Sequence, residues 1–164
     1  MKTVIRMAML SLLLSAVPAF AQMDWSAVGS TGVIDETSTP LYEFNGPSLN
    51  LRPAQVGVAV ARYQVNNTFG SGFTKMPPWT TMLMAYNDNG PGAFVRARLF
   101  RVNICTRVPE LICEIRSQDN TNCDKCQIDP ARPIDFNSYV YYIEADLTKN
   151  TPQDFPALHH LAIF

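Results

Sequence analysis

Apolar and polar side chains alternate with a period of two along much of this chain. Successive side chains of a strand point to opposite faces, so this alternation marks sheets with one buried face. The clearest stretch is Phe94–Ser117. Val95, Ala97 and Leu99 alternate with Arg96 and Arg98; beyond Leu99 the apolar set changes face to Phe100, Val102 and Ile104. Such a phase switch predicts a β-bulge or a strand passing between two packing environments. On the return strand, Leu111, Cys113 and Ile115 share one face. A three-residue turn at Val108-Pro109-Glu110 would set Cys105 opposite Cys113, with Cβ atoms about 4.5–5.5 Å apart and close to disulfide reach.

Gln55–Thr68, Thr80–Tyr86, Tyr139–Leu147 and Leu158–Phe164 read as further strands, and Leu41–Phe44 and Ser48–Arg52 as shorter ones. Asn45-Gly46-Pro47 and the run from Asn87 to Gly92 are turn signals. Gln118–Asn137 is polar and reads as turns. Trp25 is expected to plug one end of the core. No amphipathic helix of useful length is visible. About nine short strands separated by glycine and proline predict an all-β fold, an antiparallel β-sandwich of jelly-roll type.

The N-terminus departs from this pattern. Lys2 and Arg6 precede the apolar run Met7–Val17, and Ala19-Phe20-Ala21 fits a small-residue cleavage site. The expectation is an exported protein, secreted or periplasmic, cleaved after Ala21, with residues 22–164 as a single β-sandwich domain. The apolar run falls short of the roughly 20 residues a membrane span needs.

Thirteen basic against fourteen acidic residues give a formal charge of −1, and losing Lys2 and Arg6 makes the remainder more acidic. Binding to nucleic acid or an anionic membrane calls for basic patches, so neither partner is expected. Insertion as an outer-membrane barrel calls for about eight strands of 9–11 residues, and prolines interrupt too many of these.

The runs Val28–Glu36, Gly46-Pro47-Ser48, Ala61–Val65, Tyr141–Ala145 and Pro156-Ala157-Leu158 resemble a loosely defined group of secreted bacterial β-sandwich proteins. The resemblance implies the sandwich and its order of strands. That group carries no assigned activity, so it implies none here.

Four cysteines, Cys105, Cys113, Cys123 and Cys126, predict two disulfides in an oxidising compartment. The favoured pairing is Cys105–Cys113 across the hairpin with Cys123–Cys126 inside its tetrapeptide; crossed pairings would tie the 118–137 segment to the hairpin. Zinc would need four converging thiolates, and only Cys123 and Cys126 have knuckle spacing. A redox role for that pair would need a helix N-terminus, which Gln127–Pro130 does not offer. No metal or cofactor is expected.

His159 and His160 are adjacent on a strand and should face opposite ways. No nucleophile elbow occurs. Glu144 and Asp146 share a strand face, about 7 Å apart by a ~3.4 Å rise, which a glycosidase pair could use and which any solvated strand face also shows. Asn87-Asp88-Asn89 and Asp119-Asn120-Thr121-Asn122 are oxygen-rich, yet they lack EF-hand spacing and read as turn formers. Trp79 after Pro77-Pro78 is the most suggestive aromatic. Trp79 and Tyr86, with Asn87, Asp88 and Asn89, are the candidate ligand-binding residues: exposed rings would stack on a sugar while amides and a carboxylate take its hydroxyls. The competing reading is that Trp79 closes an end of the sandwich.

These features favour a non-enzymatic module with a binding or structural role at the cell envelope or outside the cell. Its partner would be a protein or a glycan, and assembly into a homo-oligomer through sheet faces is part of this reading. A carbohydrate-binding module is the alternative, and a glycoside hydrolase-like enzyme using Glu144 ranks behind it.

Overall fold

The computed structural model describes residues 24–69, 75–118 and 120–164. Residues 1–23, on which the expected signal sequence falls, 70–74 and 119 lie outside the described residues. The described residues form eleven strands: β1 Trp25–Val28, β2 Val33–Ile34, β3 Tyr42–Asn45, β4 Ser48–Leu51, β5 Gly57–Val65, β6 Thr81–Asn87, β7 Ala93–Asn103, β8 Pro109–Arg116, β9 Thr121–Gln127, β10 Tyr139–Lys149 and β11 Ala157–Ile163. They form two antiparallel sheets. Sheet one has the order β3-β4-β11-β6-β9, with β1 also paired to β11; sheet two has the order β2-β5-β10-β7-β8. From β5 to β11 the chain crosses between sheets at almost every connection, which makes this a β-sandwich of jelly-roll type.

Alternation creates the core. Ala59, Ala61, Tyr63 and Val65 of β5, Val95, Ala97 and Leu99 of β7, and Tyr141, Ile143, Ala145 and Leu147 of β10 are all buried. They meet Leu49, Leu51, Met82, Met84, Leu158, Leu161 and Ile163 from sheet one. Each large apolar side chain so buried contributes roughly 1.5–3 kcal/mol. Trp25 is part of this core, as expected.

The outward face of sheet two carries a charge ladder. Arg62, Glu144 and Arg98 stand directly opposite one another across β5, β10 and β7. Glu144 pairs with Arg62 and Arg98 at 2.8 Å, while Asp146 pairs with Arg96 at 2.8 Å and Arg98 at 2.9 Å. The two carboxylates considered for glycosidase chemistry are therefore each held by two guanidinium groups. Opposite charges facing across neighbouring strands also fix their register.

The phase switch of β7 is a real irregularity: the β7–β8 register shifts between Leu99 and Phe100. The turn beyond it is longer than expected. Asn103 Oδ1 accepts from the backbone N–H groups of Cys105 and Thr106, winding the turn early, and Pro109 already lies in β8 opposite Val102. Leu99, and not Cys105, thus faces Cys113. This corrects the cysteine pairing: the disulfide is Cys113–Cys126, while Cys105 and Cys123 are free and exposed. The bond joins β8, at the edge of sheet two, to β9, at the edge of sheet one.

β9 is the strand hidden in the polar 118–137 segment. It pairs with β6 over seven positions, from Thr81↔Gln127 to Asn87↔Thr121. Its inward positions are Asn122, Asp124 and Cys126 instead of aliphatics, because Tyr86 brings a hydroxyl to that edge and donates it to Asp124. A charged, short edge strand also resists pairing with other chains.

Two outcomes follow. Replacing Cys113 and Cys126 together with Ser reopens a loop of 13-residue separation and should lower stability by about 3 kcal/mol in denaturant unfolding. Replacing Cys105 and Cys123 should leave the midpoint unchanged. The second outcome concerns acid. The side-chain and backbone hydrogen bonds from Thr37 hold the Asp35 carboxyl below its usual range, and those from Arg101 and Arg132 do the same for Glu110. Groups with depressed folded-state pKa values contribute stability above their unfolded values and lose it as pH falls through the folded ones. The thermal midpoint should be flat from pH 7 to about 5 and fall below about pH 4.

Candidate functional site

The structure separates the five residues singled out as ligand-binding. Trp79 is 2% and Tyr86 1% exposed. Trp79 meets the Phe136 ring edge-on at 6.1 Å, and the Tyr86 hydroxyl is engaged by Asp124 and by the backbone N–H of Gln118. Neither ring offers an open face to a sugar, which corrects the expectation of exposed aromatics. Flanking prolines and polar loops make both look available, yet Trp79 folds inward just before β6 and Tyr86 lies on the inward face of β6. Asp88 is buried and accepts from the Ser117 hydroxyl. Only Asn87 and Asn89 of the five reach the surface.

Asn87 leads to a cleft that the sequence did not disclose. It lies on the outward face of sheet one and encloses about 240 Å³. One wall is the β3–β4 hairpin, which supplies Glu43, Asn45, Ser48 and Asn50. Asn45 and Ser48 are paired across a two-residue turn, Gly46-Pro47. Gly46 has φ +58° and Pro47 follows it, the composition a tight hairpin with a positive first φ requires. Alternation then sends Leu49 and Leu51 into the core and the polar residues outward.

The opposite wall is the segment entering β11: Phe155, Pro156, Ala157 and His159. The β6–β11 register shifts between Leu158 and His160, so His159 is the extra residue of a bulge. Leu158 and Leu161 stay inward, and both histidines are left on the outward side, partly exposed. The bulge overturns the expectation of opposite faces. His159 Nδ1 sits 2.7 Å from the Ser48 hydroxyl, which links the two walls and orients the ring.

Phe155 is 45% exposed. Its backbone N–H donates to the Asn89 carbonyl at 3.2 Å and its own carbonyl accepts from Asn87 Nδ2 at 3.3 Å. Asn87 Oδ1 in turn accepts from the Thr121 hydroxyl. The oxygen-rich loop after β6 thus spends these groups on anchoring an aromatic wall.

Beneath that wall lies Lys149, the last residue of β10, with no exposed surface. Its ammonium donates to the carbonyls of Arg52 at 3.2 Å and Pro53 at 2.7 Å and sits 5.1 Å from the Phe155 ring centre. Lys149 therefore ties sheet two to the segment leaving β4 in sheet one, and holds Pro53 and Phe155 together. Asn50 Oδ1 is shielded from solvent and has no hydrogen-bond donor among the described residues. An acceptor in that state costs about 1–3 kcal/mol.

The cleft combines one open aromatic ring with amide, hydroxyl, imidazole and carboxylate groups. Among the described residues no group of three or more His, Cys, Asp or Glu side chains converges to hold a metal. No helix of the described residues is long and apolar enough to cross a membrane.

No family model matches the chain, and no curated protein matches it in sequence. Solved structures do align with it. A CBM36-1 domain of a multidomain xylanase from the hindgut metagenome of Trinervitermes trinervoides aligns at TM-score 0.49 and 11% identity, over 87% of this chain and 97% of that one. A xylan-binding module, CBM15, aligns at 0.47 and 14%, over 87% and 95%. TmCBM61, solved in complex with β-1,4-galactotriose, aligns at 0.44 and 10%, over 88% and 89%. At such distances the binding chemistry of this chain has to be read from its own residues.

Replacing Lys149 with Met would leave the Arg52 and Pro53 carbonyls without their shared donor. Urea unfolding should register a loss of about 1–3 kcal/mol, and limited proteolysis should show faster cutting at the 52–56 and 151–156 segments.

Proposed function

We propose that this protein is a carbohydrate-binding β-sandwich whose site is the cleft between the β3–β4 hairpin and the Phe155–His159 segment. One observation carries the reading: an exposed aromatic ring, Phe155, faces a bank of short polar side chains across a small cleft. Sugars present apolar C–H faces and a rim of hydroxyls, so their recognition needs both surfaces at once. Asn45 and Asn50 supply amides, Ser48 a hydroxyl, and Glu43 a carboxylate that accepts, while Asn87 holds the aromatic wall in place. The Ser48–His159 contact leaves His159 Nε2 as the ring nitrogen available to a ligand.

A role as a protein-interaction module at the envelope, the leading expectation from sequence, fits this cleft less well. Cores of protein interfaces are depleted in charged residues and rich in large aromatics, whereas this cleft sets a single aromatic ring, Phe155, against amides, a hydroxyl, an imidazole and a carboxylate. Export to the cell exterior or periplasm belongs to the same proposal, because polymeric glycans are met there.

The test is native affinity electrophoresis of the purified protein in gels containing xylan, β-1,4-galactan, mannan or hydroxyethyl cellulose. At least one should retard it. Phe155→Ala and Asn50→Ala should each weaken that retardation at least tenfold, about 1.4 kcal/mol, with the circular dichroism spectrum unchanged. Full retardation of Phe155→Ala, or no retardation of the wild type in any of the gels, overturns the assignment.

A further inference from the structure

The opposite face of the sandwich carries a second feature that the cleft leaves unexplained. On sheet two, directly beyond the charge ladder, Gln64, Tyr142 and Phe100 stand in one row across β5, β10 and β7. Tyr142 and Phe100 are stacked, with ring centres 5.1 Å apart and planes 16° from parallel. Arg98 sits 5.8 Å from the Phe100 ring centre. Phe100 therefore props one face of Tyr142 and holds it upright from the sheet.

The other side of Tyr142 opens on a notch with a topological cause. β5 leaves the sheet at Val65, opposite Tyr141, while β10 remains paired with β7 as far as Tyr139↔Asn103. Among the described residues Val140 thus has no strand beside it toward β5, and it is 53% exposed. The notch encloses about 360 Å³ and is lined by Tyr142, Val140 and Phe136 on one side and Gln64 and Asn66 on the other. Again an aromatic surface faces side-chain amides.

The charges around the notch select among occupants. Arg62, Arg96 and Arg98 are matched by Asp35, Glu144 and Asp146 in one connected ion-pair network. Arg101 and Arg132 are matched by Glu110 and Asp129 in a second. Each of these networks balances to zero, so neither leaves an uncompensated charge beside Tyr142. A neutral ligand fits best here, with an apolar face for Tyr142 and hydroxyls or amides for Gln64 and Asn66.

We infer that this notch is a second carbohydrate subsite, for a neutral glycan, stacking on Tyr142 and hydrogen-bonding to Gln64. It lies on the sheet opposite the cleft, so the two sites cannot share a single short oligosaccharide. One protein molecule would instead hold two chains, or two distant stretches of one chain, and cross-link a polysaccharide.

The test uses the full mature protein and the same four soluble polysaccharides, reading two quantities: retardation in the gel and turbidity from cross-linking. Wild type should show both. Tyr142→Ala, and independently Gln64→Ala as a milder surface change, should abolish or cut turbidity at least fivefold while keeping the retardation that Phe155 provides. Phe155→Ala should keep a residual retardation, and Phe155→Ala with Tyr142→Ala should lose it. Wild-type turbidity from both the Tyr142 and Gln64 variants overturns the second site and leaves the cleft standing. Loss of all retardation on Tyr142→Ala with none on Phe155→Ala supports the notch and removes the cleft. Concentration-dependent dimers in sedimentation velocity that vanish in Tyr142→Ala, without polysaccharide, would make the patch a self-association surface and overturn the subsite, as would the absence of binding to all four polysaccharides.

Discussion

A single buried ammonium group holds together the end of the sandwich where the cleft forms. Lys149 terminates the central strand of one sheet, and its acceptors belong to the chain leaving a strand of the other. Taking a charge out of water is costly unless hydrogen bonds replace its hydration. Once the two carbonyls are in place, moving either sheet relative to the other would strand the charge. The apolar core resists separation of the layers without fixing how they slide, since hydrophobic contact is non-directional. Lys149 supplies the missing direction, and Phe155 rests on the result.

Local departures from regular pairing then decide which side chains face out. In β11 an extra residue keeps the aliphatics inward and turns His159 toward Ser48. In β8 another lets the edge strand rejoin β7 after Leu99 and brings Cys113 to the side where Cys126 lies. In sheet two the early exit of β5 opens space beside Tyr142. Bulges and uneven strand lengths are the means by which a uniform ladder acquires specific places.

Much of this architecture was legible in the alternation. β5, β7, β10 and β11 stand out because their inward faces are continuously aliphatic or aromatic, while their outward faces mix charged and polar residues with a few apolar ones such as Val58 and Phe100. The bulge near Leu99 showed as a change of phase. β9 was invisible for a physical reason: an edge strand whose inward partner is a tyrosine hydroxyl needs asparagine and aspartate where the pattern looks for valine. The cysteine pairing depended on a turn that Asn103 starts earlier than Pro109 suggests. Trp79 and Tyr86 misled because exposure is not written in their neighbours. The cleft could not be read at all, since Glu43, Asn50, Asn87, Phe155 and His159 come from distant segments, and each looks like ordinary turn or strand-face chemistry until β11 pairs with both β4 and β6.

One side of the sandwich is closed by a covalent bond, and the other by the hydrogen bonds of Lys149. Cys113–Cys126 joins the outer strands β8 and β9 covalently, while on the other side β2 and β3 are short. The two layers resemble covers bound along one spine: thermal breathing spends itself at the free margin. That margin includes the β3–β4 hairpin, which is one wall of the cleft. Motion would thereby concentrate at the lip of the proposed site, away from the bonded edge. A ligand gripping both walls would act as a second clasp, stiffening the margin that the covalent bond does not reach.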